Sequence, residues 1–203
     1  MPLASDTRVS GIILAGGKSR RLGRPKQTLR FGDCSLLEHV IAQAEDVCSL
    51  DPLIVVLPAD HSVPDPRVTR ATLVRVQHQG TCSSSLHAGL AAIPVGADAL
   101  VVLPCDGPDL TAAHIAAAVD VWIDTRPIAL TLSFRGEPGH PLVFSTALLP
   151  RLADLHGEKA MWRLLDDLGD AVERVEIDAP LPRDVDTWED YQAVLAEFGA
   201  PAV

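Results

Sequence analysis

The 203-residue sequence predicts an α/β fold, with a mostly parallel central sheet covered by helices on both faces. Three observations predict it. Strand-like and helix-like segments alternate along the chain. Several strand-like runs are apolar throughout, as strands buried on both faces are. The first of these ends in Ala15-Gly16-Gly17, a glycine loop at the carboxyl end of a strand, where ligands sit in such sheets.

The elements follow in order. Residues 9–14 are β-branched and apolar and read as a buried strand. Residues 36–47 carry Leu37, Val40, Ile41 and Ala44 at helical spacing, with Ser35 as cap. Residues 53–57 form a continuous apolar strand, and 72–76 a weaker one. Residues 84–93 read as a helix with Leu86, Leu90 and Ile93 on one face. Residues 99–103 are again apolar throughout. Thr111 caps a helix running to 124. Strands follow at 128–134 and 142–144, then helices at 145–152 and 158–168. A late strand covers 172–177. A closing helix covers 188–198, capped by Asp186 or Thr187.

Composition limits the function. The chain has 17 basic and 27 acidic residues, a net charge of −10. That disfavours general nucleic-acid binding, which depends on phosphate neutralisation, and binding to anionic membranes. No apolar run is long enough to span a bilayer, and the start lacks a basic region followed by an apolar one. Cys34, Cys48, Cys82 and Cys105 are scattered, with no CxxC pair. They read as reduced, buried small hydrophobes in a cytoplasmic protein.

The loop after the first strand breaks the acidic pattern. From Gly11 to Gly32 there are six basic residues and no acidic one. A cationic glycine loop at a strand end suits a polyphosphate: glycines let backbone N–H groups approach, and arginine and lysine supply charge. The Walker loop and the dinucleotide fingerprint both fail. Ile12 stands where the first Walker glycine belongs, and the glycines fall at 16, 17 and 23.

Leu14-Ala15-Gly16-Gly17-x-Ser19-x-Arg21-Leu22-Gly23-x-x-Lys26 resembles the signature of the nucleotidyltransferases with a mononucleotide-binding Rossmann-like fold. That group includes the molybdenum cofactor cytidylyl- and guanylyltransferases and the sugar-phosphate nucleotidyltransferases. The resemblance implies a three-layer Rossmann-like nucleotidyltransferase fold. It also implies that Leu14, Ala15, Gly16, Gly17, Lys18, Ser19, Arg21 and Lys26 wrap the nucleotide triphosphate.

Further segments resemble the same family in the same order. Gly80 with Ser83-Ser84-Ser85-Leu86 and Gly89 resembles the segment beside base and ribose in the cytidylyltransferase branch; read alone, it is a helix cap. Asp106-Gly107-Pro108 resembles the Asp-x-Pro metal element, with Asp106 as Mg²⁺ ligand. The family commonly has Gln where this chain has Gly107. Asp109 reads as a helix-start residue. Gly139-His140-Pro141 resembles the acceptor-side triplet of the cytidylyltransferase branch, so His140 is expected to meet the acceptor. Asp184-x-Asp186-Thr187-x-Glu189-Asp190 resembles the closing motif, with Asp186 as a second metal contact; read alone, Asp186 is a helix cap. The 156–160 turn, with Glu158 and Lys159, receives no role.

The resemblance implies a single domain over 1–203, with a nucleotide part at about 8–125 and an acceptor part at about 126–200. It implies Mg²⁺-dependent transfer of a nucleoside monophosphate from an NTP to the phosphate of molybdopterin, with release of pyrophosphate and delivery to a molybdoenzyme. Arg21, Lys26 and Asp106 carry the catalysis. The serine run and Gly-His-Pro favour CTP; the Gly16-Gly17 pair is more typical of GTP enzymes. Two alternatives stand beside this reading: a sugar or polyol phosphate as acceptor, and a non-catalytic nucleotide-binding carrier of the cofactor.

Overall fold

The computed structural model describes residues 7–17, 19, 21–76 and 82–198. Its strands are β1 (Val9–Leu14), β2 (Arg30–Phe31), β3 (Cys34–Ser35), β4 (Leu50–Leu57), β5 (Thr72–Arg75), β6 (Ala99–Pro104), β7 (Ala129–Phe134), β8 (Glu137–Ser145) and β9 (Val172–Ile177). Seven form one sheet in the order β5-β4-β1-β6-β8-β7-β9. β5, β4, β1 and β6 are mutually parallel, and β7 is parallel to β9. β8 alone runs against its neighbours β6 and β7. The sheet is therefore mostly parallel, as expected, and it runs through both the amino- and carboxyl-terminal halves.

The apolar runs occupy the centre. Ile12 pairs with Ile54 on one side and Val102 on the other. Gly11 is required here, because a Cβ would lie 2.7 Å from Leu53 Cδ1 and 2.8 Å from Leu50 Cδ2. β2 and β3 form a separate short ribbon.

The helices are α1 (Leu36–Glu45), α2 (Cys82–Leu90), α3 (Ala112–Thr125), α4 (Leu149–Ala153), α5 (Ala160–Leu168) and α6 (Trp188–Phe198). α1 and α3 pack Val40, Ile41, Ile115 and Val119 against Ile13, Val55 and Val101 on one face. α2, α4 and α5 pack Leu86, Leu152, Met161 and Leu164 against Leu100, Val102 and Phe144 on the other. Each such fully buried side chain contributes about 1.5–3 kcal/mol. The result is three layers. α6 stands apart and closes a smaller core with Leu22, Leu29, Phe31 and Val185. That core, with the bond from Tyr191 Oη to Arg30 O at 2.5 Å, anchors the stretch that follows the glycine loop.

Local signals explain the starts and stops. Ser35 and Glu38 form a reciprocal capping box on α1, and Thr111 and His114 form one on α3. Thr187 Oγ1 accepts from Asp190 N, and Asp190 Oδ2 accepts from Thr187 N at 2.8 Å. Thr187 is thus the cap of α6, and Asp186 is left for other work.

Several boundaries differ from the sequence reading. β4 begins at Leu50, not 53, because the strand runs through Pro52. β8 spans Glu137–Ser145, not 142–144, because Arg135 (φ 50) and Gly136 (φ 90) make a tight hairpin that pairs the polar start of β8 with β7. The helix expected over 145–152 is a 3₁₀ turn, Thr146–Leu148, followed by the short α4. α5 starts at Ala160, since Gly157 and Lys159 both take left-handed φ. α2 starts at Cys82, two residues before the expected 84. Of the cysteines, Cys105 is buried as expected, but Cys34 and Cys82 are half-buried and Cys48 is exposed; all four are free.

Candidate active site

β1 is followed in space by β4 on one side and β6 on the other. Their connections diverge, and a crevice forms at the carboxyl ends of β1 and β6. A cavity of about 720 Å³ opens there. Leu14, Gly16, Gly17, Ser19 and Lys26 line it from the glycine loop, Ser85 from α2, and Asp106 from the end of β6. His140 and Asp184 line it from the second half.

The loop is held in shape by its own side chains. Ser19 takes a left-handed φ of 46, and its hydroxyl accepts from Lys26 N at 2.9 Å. The buried Gln27 donates from Nε2 to Ala15 O at 2.7 Å and Gly17 O at 3.0 Å. One amide thus ties back two carbonyls of the glycine loop. Gly16 is a close approach: a Cβ there would lie 2.3 Å from Ser85 Oγ.

Charge converges on Lys26. Its Nζ donates to Asp106 Oδ2, and to Asp186 Oδ1 at 2.9 Å. Arg21 Nη1 reaches Asp186 Oδ2 at 2.9 Å. Burial opposes the charge on Lys26, but the Asp106 and Asp186 carboxylates outweigh it and hold the ammonium well above the usual lysine range. The Lys26 hydrogen bond, aided by Arg21, holds Asp186 below the usual carboxylate range. Asp184 has solvent on one side, but its carboxyl faces the cavity; enclosure and the neighbouring Asp106 charge push it up to about 6.

The closing motif is stitched to the β6 loop. Val185 N donates to Asp106 O at 2.9 Å. Asp109 does not cap α3; its Oδ2 accepts from Arg183 Nε at 3.3 Å and fixes the approach to 184–186. Glycine loop, Asp106 and Asp186 are thus one assembly.

Asp106 and Asp186 offer hard carboxylate oxygens to a single cation position, the Lys26 ammonium. That donor set fits Mg²⁺, which takes one or two carboxylates and fills its remaining positions with phosphate oxygens and water. Among the described residues, no cluster of three or more His, Cys, Asp or Glu is placed to hold a metal alone. The phosphates of a nucleotide would have to complete the set.

Of the sequence-predicted residues, Leu14, Gly16, Gly17, Ser19, Lys26, Ser85, Asp106 and His140 line the cavity. Asp186 joins it through Lys26, and Arg21 through Asp186. Ala15 is buried behind the loop. Ser84 does not line the cavity, and the Ser83 hydroxyl accepts from Gly157 N at 3.0 Å, tying the 156–160 turn to α2. Lys18 and Gly80 lie outside the described residues. His140 is partly buried and pushed down to about 4 by burial, so its ring is neutral at pH 7. It meets the Trp162 ring edge-on at 5.4 Å.

Sequence reasoning missed Gln27, Glu158, Lys159, Met161 and Trp162. The last four line the cavity from the 156–160 turn and the start of α5. Trp162 carried a signal: it sits beside the buried stripe of α5 (Met161, Leu164, Leu165) rather than in it. A bulky ring off the apolar stripe needs another partner.

No helix among the described residues is long and apolar enough to cross a membrane. A family model described as "MobA-like NTP transferase domain" matches residues 11–173. A curated protein of Mycolicibacterium paratuberculosis named "Probable molybdenum cofactor guanylyltransferase" is 32% identical over 200 residues, covering 95% of this chain and 98% of its own. The crystal structure of the Rv0371c homologue from Mycobacterium sp. strain JC1 superposes with a TM-score of 0.82 at 36% identity, covering 94% of this chain and 96% of that one. Rv0371c of Mycobacterium tuberculosis H37Rv in complex with manganese superposes with a TM-score of 0.78 at 28% identity, covering 94% and 99%. The matched domain spans both the glycine loop and the Asp106 loop, and the chain belongs to the MobA-like NTP transferases, a family of nucleotidyltransferases.

Proposed function

We propose that the chain transfers CMP from CTP to the phosphate of molybdopterin and releases pyrophosphate. The observation that carries the reaction class is the shared position of Lys26, Asp106 and Asp186 beside the glycine loop. Three segments far apart in sequence meet on one ammonium, at the end of the crevice where a triphosphate fits.

In this reading the triphosphate lies along Gly16 and Gly17, with Ser85 at the base side. Lys18 and Gly80 belong to the same nucleotide contacts. Residues of about 8–125 form the nucleotide part and about 126–200 the acceptor part. An acceptor phosphate oxygen attacks the α-phosphorus in line, and the bond to the pyrophosphate oxygen breaks. A phosphate monoester, with its second pKa near 6, is already largely dianionic at pH 7, so no side chain need act as base. Lys26 and Arg21 exchange their carboxylate partners for phosphate oxygens and stabilise the charge that develops on the leaving group. His140, neutral at pH 7, offers a ring nitrogen to the acceptor. Asp106 and Asp186 would hold Mg²⁺, which when bound supplies charge neutralisation to the phosphates.

The CTP reading rests on Ser85, the member of the 83–85 run that lines the cavity, and on the Gly139-His140-Pro141 triplet, both in segments that resemble the cytidylyltransferase branch. GTP is the second reading, favoured by the Gly16-Gly17 pair and by the guanylyltransferase name of the mycobacterial relative. A non-catalytic carrier would not need Lys26, Arg21 and Asp106 together. Equimolar CTP, GTP, ATP and UTP, offered with molybdopterin and Mg²⁺, test the choice. Mass spectrometry should find the cytosine dinucleotide product. A guanine product would establish the second reading, and no dinucleotide product would reject molybdopterin as acceptor.

A further inference from the structure

Lys26 stands between two sets of partners. Its ammonium donates to Asp106 Oδ2, and to Asp186 Oδ1 at 2.9 Å. Those carboxylates are the pair that the proposed reaction assigns to a divalent cation. The same side chain lines the cavity with Gly16, Gly17 and Ser19, where the triphosphate is placed. The free protein therefore holds its own cation at the position a metal ion needs.

This pair is enclosed. The Lys26 side chain is 12% exposed and that of Asp106 18%. Water and salt screen poorly there, so a dication entering beside the ammonium meets strong repulsion. The carboxylates take Lys26 or a metal ion, not both. Arg21 is the weaker competitor: it reaches only Asp186, and its side chain is 70% exposed.

The backbone leaves the lysine side chain as the moving part. Lys26 N donates to Ser19 Oγ at 2.9 Å, and Lys26 O accepts from Leu29 N at 3.1 Å. The neighbouring Gln27 is tied to Ala15 O and Gly17 O. A lysine stem of four carbons is flexible, and phosphate oxygens are strong partners for an ammonium. Both partner sets border the same cavity, so the exchange needs no movement of the loop.

We propose that Lys26 gates the metal position: it occupies the place between Asp106 and Asp186 in the free protein, and nucleotide phosphates draw it off, so a divalent cation binds tightly only with nucleotide. The proposal rests on the reading that the crevice takes a nucleotide with a divalent cation. It differs from simple bridging of a metal ion by phosphates. Bridging gives Lys26 no influence on metal affinity when nucleotide is absent. The gate makes Lys26 act against the metal ion and for the phosphates.

The test measures the two ligands separately. Electron paramagnetic resonance counts free Mn²⁺ in titrations of the full chain without nucleotide. Calorimetry measures CTP and GTP binding in EDTA. The proteins are the wild type, Lys26→Met, Lys26→Met combined with Asp106→Asn, and Arg24→Met. Arg24 is an exposed arginine of the same loop, so its variant controls for the change in net charge. Lys26→Met should bind Mn²⁺ about tenfold more tightly than wild type and metal-free nucleotide about tenfold more weakly. Adding Asp106→Asn should remove the gain in Mn²⁺ affinity. Arg24→Met should change Mn²⁺ affinity by less than about twofold. Should Lys26→Met fail to fold by circular dichroism, Lys26→Gln, uncharged but still a donor, takes its place. Unchanged or weaker Mn²⁺ binding in the folded Lys26 variant overturns the gate. So does an equal gain in Arg24→Met, or undiminished nucleotide binding in the Lys26 variant. Pyrophosphate release by a wild type whose Lys26 variant shows no gain rejects the gate alone. The gain and the loss together, in a wild type that releases no pyrophosphate, keep the gate and reject the transferase reading.

Discussion

Lys26 and Asp186 stand 160 residues apart in sequence and 2.9 Å apart in space. The same ammonium donates to Asp106, at the end of β6. The site is therefore one electrostatic unit that exists only when the glycine loop, the β6 loop and the start of α6 are all in place. Removing its centre has a defined consequence. Lys26→Ala should lower turnover by about 10²–10³, the scale for losing one preorganised charge contact in a transition state. It also leaves Asp106 half-buried without its cation, so the melting temperature should fall by a few degrees while far-UV circular dichroism is kept. Steady-state kinetics and a thermal melt check both.

Gln27 holds the glycine loop from behind through Ala15 O and Gly17 O. Gln27→Leu keeps the volume and removes both bonds. Stability should fall by about 1 kcal/mol, the cost of leaving the buried Ala15 carbonyl unpaired less the relief of removing the unpaired Gln27 Oε1. The KM for nucleotide should rise by about tenfold with little change in KM for the acceptor. Denaturant melts and two-substrate kinetics separate these effects.

Gly16 and Ser85 are coupled by contact, since a Cβ at 16 would fall 2.3 Å from Ser85 Oγ. Gly16→Ala should destabilise by about 1 kcal/mol or more, because Ser85 must rotate or the loop must shift. In a Ser85→Ala background the same change should cost less than half as much. A double-mutant cycle by urea denaturation measures the difference.

Glu38 links α1 to the segment before β5. The Arg67 hydrogen bond, with backbone N–H donors from Ser35 and Arg67, holds its carboxyl down to about 2. A carboxyl whose folded pKa is depressed stabilises the fold above its unfolded pKa, near 4.5. That contribution is lost as pH falls through the folded value. Arg67 is largely exposed, so solvent screens the pair. Glu38→Gln should cost about 1–2 kcal/mol at pH 7, the scale of a helix cap with one screened ion pair. The gap from wild type should close between about pH 5 and pH 2, read by denaturant melts across that range.

Much of the sheet is legible in the sequence because its central strands are buried on both faces. Residues 9–14, 53–57 and 99–103 have no polar face to misread, and the observed β1, β4 and β6 contain them. The cap signals of Ser35 and Thr111 also hold, since each hydroxyl meets its own helix's third N–H. The reversed β8 was not legible. Its first residues, Glu137 and Pro138, are exposed, and Arg135-Gly136 reads as a strand end unless both are placed at positive φ. At the site, the charged and glycine-bearing residues were readable because their chemistry is rare at a strand end. Gln27 was not, because a lone amide carries no chemistry until the fold supplies its partners, and Trp162 offered only its place beside the apolar stripe of α5. Only Ser85 of the serine run lines the cavity, since helix geometry turns Ser83 toward Gly157.

In the proposed reaction Asp106, joined to Lys26, is part of the centre that transfers a nucleotide and releases pyrophosphate. The direct measurement is pyrophosphate release by the purified chain with Mg²⁺, molybdopterin and CTP, beside Asp106→Asn, which keeps size and removes charge. The wild type should release pyrophosphate only with acceptor present, and Asp106→Asn should lose about 10²-fold or more of that release with its fold intact by circular dichroism. Equal release by both proteins would contradict it.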